Sequence, residues 1–193
     1  LIKKPIVLDA FCSVIRVFDL DTVFILGGNK EPKETGPDTQ KATTFYNVKT
    51  KEFIKGNELK YKRWYGSIVR TSDDKFVIVG GEDVTNGKKS TMPEILEKND
   101  KSEFYSWREL KGAESLDVFG DLIEEEWSYP KSFLASDGNI FGISYNKLWV
   151  MDPRGDGKIE RVGEIPLVSG GISKILKHEN PTDESLSSEL KVM

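Results

Sequence analysis

One spacing recurs along this chain, and it limits the folds open to it. Cys12 stands fifteen residues before Gly27 of a Gly27-Gly28 pair, and Tyr65 fifteen before Gly80 of a Gly80-Gly81 pair. Laid over one another, FCSVIRVFDLDTVFILGGN and WYGSIVRTSDDKFVIVGGE share one plan: an alternating strand, an Asp-containing turn, a second strand (TVFIL, KFVIV) and a diglycine. A third segment, SYPKSFLASDGNIFGIS, aligns without gaps on its Ser-Asp turn and puts Tyr129 at the place of Tyr65. Cys12, Tyr65 and Tyr129 therefore share one repeat address. Period-two alternation bounded by turn residues is the mark of strands, so the chain reads as all-β.

The diglycines lie 53 residues apart, and the next glycine taken as equivalent, Gly142, follows 62 residues after Gly80. Repeats near 50 residues with four strands each are the signature of kelch-like β-propeller blades. The expected architecture is a partial propeller over residues 1–175 with blades at about 10–56, 64–110 and 128–163, then a polar, mobile tail at 176–193. The first blade reads CSVIRVF, TVFILGG, ATTFYNV and KEFIK; the second YGSIVRT, KFVIVGG, MPEILEK and EFYSWREL. The third reads PKSFLAS, NIFGIS, KLWVMD and KIERVG, and SGGISKIL begins a fourth. Between the second and third blades, Leu116, Phe119, Leu122 and Ile123 fall at helical spacing, which predicts one short inserted helix. Three blades and a piece cannot close a ring, and closure is how this architecture disposes of its sheet edges. The expectation is a fragment of a longer propeller, with the remaining blades as its partners.

Composition removes several function classes. A net charge of −4, with lysines scattered among acids, gives no basic stripe for nucleic acid. No run is apolar for long enough to cross a bilayer. One histidine, His178, argues against a metal site built mainly from imidazoles of this chain. One cysteine excludes an internal disulfide framework. GEDVTNGKKST has the wrong glycine spacing for a phosphate loop, and DPRGDGKIERVGE has Arg154 at the third position of a calcium loop. Both read as turns, and the acids Glu124 to Glu126 read as a solvated helix end.

A lone cysteine most often packs in a core, and aromatic rings mostly serve burial. The shared address sets Cys12 and Tyr65 apart from that default, because the same strand of neighbouring blades would bring them together near the axis. Trp64, beside Tyr65, and Tyr129, at the third copy of the address, are candidates to line a pocket there.

The segments around these residues resemble the galactose oxidase and glyoxal oxidase family. FCSVIRVFDLDTVFILGGN is similar to the family's Phe-Cys-x-Gly to Gly-Gly-Asn segment, and RWYGSIVRTSDDKFVIVGGE to its Arg-Trp-Tyr segment. TMPEILEK and WSYPKSFLASDGNIFGISYNKLWVMDPR resemble strands of the glyoxal oxidase branch, in the same order, so the likeness runs over about residues 10–166. The resemblance implies a copper-radical oxidase. It would turn a small-molecule primary alcohol or aldehyde and dioxygen into product and hydrogen peroxide, in an extracellular or periplasmic setting. It implies a thioether between Cys12 and Tyr65 that acts as a self-derived radical cofactor, with Tyr65 as a copper ligand. Val14 stands where the family has glycine, no Tyr-His dipeptide occurs, and His178 aligns with neither family histidine. The chain thus supplies one copper ligand at most and would be inactive alone. The alternative is a non-catalytic kelch-type propeller working as a binding scaffold.

Overall fold

The computed structural model describes residues 9–29, 40–98, 105–122 and 125–166. These form three antiparallel sheets with almost no helix. The first sheet runs β1 (Val14–Val17), β2 (Thr22–Leu26), β3 (Thr43–Asn47) and β4 (Glu52–Lys55), each strand paired with the next. The second runs β5 (Trp64–Arg70), β6 (Phe76–Asp83), β8 (Glu94–Lys98) and β9 (Tyr105–Glu109), with the two-residue β7 (Lys88–Lys89) folded back onto β6. The third runs β10 (Lys131–Leu134), β11 (Ile140–Ser144), β12 (Lys147–Asp152) and β13 (Lys158–Glu164). The segments expected to begin a fourth blade and to form the tail lie outside the described residues.

The register repeats with the sequence. Val14 faces Leu26, Ser67 faces Val79, and Lys131 faces Ile143 across the first two strands of each sheet. Side chains alternate between faces along a strand, so β6 serves two cores at once. Phe76 and Ile78 join Val14, Phe24, Leu26, Leu59, Leu96 and Trp107 in one cluster. Val77 and Val79 join Val69, Ile95, Ile140, Trp149 and Met151 in the other. The middle sheet is thus packed on both faces. The end sheets each keep an apolar outer face: Ile15 and Val17 are 57% and 60% exposed on one, Phe133 57% on the other.

One sequence expectation is corrected here, and a second, the short inserted helix, is found and narrowed in extent. Gly142 is not the counterpart of the diglycine. By register, Ser144 and Tyr145 stand where Gly80 and Gly81 do, and Tyr145 keeps the left-handed backbone of Gly81 (φ 54° against 87°). Gly142 instead makes room for Trp149, whose ring would lie 2.0 Å from a Cβ there. The inserted helix α1 covers only Leu116–Phe119, with the Ser115 Oγ accepting from Val118 N at its start. Val118 and Phe119 are buried, while Leu116 and Leu122 are exposed at 58% and 59%. The helical spacing was real for one turn and ended at Gly120.

Candidate functional site

The address shared by Cys12, Tyr65 and Tyr129 is a strained one in all three copies. Their φ angles are 58°, 61° and 45°, a region that L-residues avoid at about 1–3 kcal/mol each. The backbone explains why it is tolerated. Tyr65 N donates to Cys12 O at 3.1 Å, and Tyr129 N donates to Tyr65 O at 2.8 Å, so each copy is hydrogen-bonded to the one before it. A second seam repeats beside it. Gly28 N donates to Arg63 O (2.8 Å) and Gly81 N to Trp127 O (2.7 Å). Each diglycine therefore meets the carbonyl two residues ahead of the next address.

Arg63 anchors this seam from beneath. It is fully buried and ion-paired with the equally buried Glu94 at 2.9 Å. Its guanidinium also donates to Gly80 O at 2.6 Å and Met92 O at 2.5 Å. Glu94 Oε2 accepts from Lys60 N at 2.6 Å. A buried pair of this kind holds only when its remaining donors and acceptors are satisfied, as they are here. Little in the sequence signals it, since Glu94 lies in a strand-like run and Arg63 just ahead of one, where a charge reads as outward-facing. Glu126, read from sequence as part of a solvated acid run, is likewise fully buried and paired with Lys147 at 3.1 Å.

The structure brings the four named site residues into one cluster. The Tyr65 hydroxyl donates to the Cys12 sulfur, so the thiol and the phenol are in contact. Trp64 stacks on Tyr65 with ring centroids 4.0 Å apart and planes 25° apart. Tyr129 lies 4.7 Å from Tyr65 at 38°. Trp127, which sequence reasoning did not single out, is nearly parallel to Tyr65 at 6.4 Å, and Lys89 Nζ stands 4.3 Å from its ring centroid. Lys89 is itself ion-paired with Glu82. Cys12 is buried, Trp64 and Tyr65 are half-buried, and Tyr129 is 41% exposed.

The electrostatics keep protons on this cluster. The hydrogen bond to Cys12 is the main reason that the Tyr65 phenol is pushed up to about 12; loss of hydration and nearby charges add to it. Burial pushes the Cys12 thiol up, the Tyr65 hydroxyl pulls it partly back, and the Asp9 charge pushes it up again. Burial, then the Cys12 charge, raises the Tyr129 phenol. At neutral pH the site is a thiol against a phenol, with a second phenol alongside. Such a group is a source of hydrogen atoms rather than a nucleophile. Among the described residues no three His, Cys, Asp or Glu side chains stand close enough to hold a metal ion.

No family model and no curated protein matches this chain. Among solved structures it is similar to a novel fungal alcohol oxidase with catalytic diversity among the AA5 family, in complex with copper. The identity is 18% and the TM-score 0.49, over 68% of this chain. The chain spans 26% of the length of that neighbour.

Proposed function

We propose that this chain supplies the Cys12–Tyr65 half of an oxidase site within a larger kelch-type propeller, whose other blades contribute the remaining copper ligands. The observation that carries the reading is the pairing itself. The only cysteine of the chain meets the Tyr65 phenol, and both residues come from the same repeat address in successive sheets. The apolar outer faces of the first and third sheets are consistent with further blades on both sides.

The step that belongs to this chain's own residues is cross-linking. The Cys12 S–H bond and one Tyr65 ring C–H bond break, and a C–S bond forms beside the phenol oxygen. Two electrons and two protons leave to dioxygen, which becomes hydrogen peroxide. A sulfur on the ring donates electron density, so the modified phenol is easier to oxidise. Copper, when bound, would supply the second one-electron centre for a two-electron oxidation of a primary alcohol or aldehyde; the protein's part is position and electrostatics. Trp64, stacked on one face of Tyr65, shields it from water, and Tyr129 borders it on the exposed side.

Peptide mapping of the full-length protein, loaded with copper in air, tests this. The Cys12 and Tyr65 peptides should appear joined, lighter by a pair of hydrogen atoms, and Cys12 should resist alkylation. Cys12 recovered wholly free to alkylate would end the oxidase reading and leave a non-catalytic binding scaffold.

A further inference from the structure

Tyr65 and Tyr129 form a second reactive pair, with chemistry that needs no sulfur and no bound metal. Their rings lie 4.7 Å apart at 38°, held by the Tyr129 N to Tyr65 O hydrogen bond of 2.8 Å and by the left-handed backbone at both residues. Other tyrosines have different company. Tyr46 packs on Phe53, Tyr105 on Phe18, and Tyr61 donates to Glu109 at 2.5 Å. Among the ring contacts of the described residues, 65–129 is the tyrosine–tyrosine pair. It is open to a diffusing reagent through Tyr129, which is 41% exposed.

From this geometry we infer that Tyr65 and Tyr129 are a built-in site of oxidative cross-linking, closing to a dityrosine when the protein meets a one-electron oxidant. Each phenol loses one electron and its proton to become a phenoxyl radical, whose unpaired spin lies partly on the ring carbons beside the oxygen. Two such carbons join. The C–C bond forms, the two ring hydrogens leave those carbons, and both phenols are restored. The balance is two electrons and two protons passed to two equivalents of oxidant. Holding the rings in contact replaces a bimolecular encounter with an internal one, where effective concentrations greatly exceed those of free tyrosines. Tyr65 has two ring carbons beside its oxygen, so sulfur at one leaves the other available. The link would join the second sheet to the third and take Tyr65 out of use.

The test is photo-oxidation of the full chain with ruthenium tris-bipyridine and persulfate, followed by dityrosine fluorescence and mapping of cross-linked peptides. The expected result is that the Tyr65–Tyr129 link exceeds any other tyrosine pair by about tenfold. Tyr129→Phe should remove nearly all of the intramolecular dityrosine while leaving the circular dichroism spectrum and melting temperature unchanged. Cys12→Ser, which eliminates competition from sulfur, should retain the link or increase it. Dityrosine spread over surface residues such as Tyr145 and indifferent to Tyr129→Phe would overturn the inference. So would a Cys12→Ser protein that yields no 65–129 peptide. Neither result bears on the Cys12–Tyr65 thioether, which copper and air test separately.

Discussion

A Cβ placed on Gly80 would lie 2.5 Å from the carbonyl oxygen of Trp127. The same construction at Gly27 brings it to 2.3 Å from the Arg63 carbonyl. The diglycines are thus close-approach points where one sheet meets the main chain of the next, and they also hold φ angles of 60° to 87°.

Gly80→Ala should therefore cost about 3 kcal/mol or more, combining a left-handed backbone penalty with a main-chain clash. Gly87 is the control. Its φ is 67°, but nothing lies within 4 Å of its Cβ position. Gly87→Ala should cost only about 1 kcal/mol. Urea denaturation midpoints compare the two, and equal losses would show that approach distance does not matter at this seam.

Arg63→Met should destabilise the protein by about 3–5 kcal/mol, because it strands the buried Glu94 carboxylate. Adding Glu94→Leu to that variant should restore at least about 1 kcal/mol, since neighbouring changes are not additive. A double-mutant cycle on unfolding free energies measures the coupling. Simple additivity would mean that the pair does not act as a unit.

Two phenols set an alkaline limit. Tyr61 is pushed up to about 12 by its hydrogen bond to Glu109, and Tyr65 to about 12 by its bond to Cys12, against an ordinary value of 10.0. The folded state holds these protons more tightly than the unfolded chain does. The associated stability is complete below pH 10 and is lost as pH rises toward about 12. Absorbance titration should show Tyr61 and Tyr65 ionising last, with Tyr129 also shifted upward. Cys12→Ala should return Tyr65 toward the ordinary value, and Tyr61→Phe should delete the other of the last two.

Gly142→Ala should cost about 3 kcal/mol or more, since the added carbon would meet the buried Trp149 ring and neither side can yield cheaply. Gly142→Ala combined with Trp149→Phe should recover part of that loss in thermal melts. No recovery would place the cost in the backbone of β11 instead.

Alternation and turn residues carried most of the fold into the sequence. Strands such as TVFIL and KFVIV were legible because each presents two faces to two different environments. The adjacency of the Cys12 and Tyr65 positions was legible because equal spacing from a diglycine survives folding as equal position. Gly142 misled because a glycine records a need for space without saying who needs it; the claimant, Trp149, sits on the next strand. Arg63 and Glu94 were hidden for a related reason. A buried charge is declared by its partner, 31 residues away, and not by its own neighbours. Trp127 joins the aromatic cluster only through the contact of the second and third sheets.

The seam that links Cys12, Tyr65 and Tyr129 is made of amides and carbonyls alone, and that has an evolutionary corollary. A joint that ignores side-chain identity lets the residue at each socket change while the framework stays put. Thiol, phenol and phenol occupy three copies of one mounting here, so new reactivity can be installed by single substitutions without redesign of the surrounding sheets.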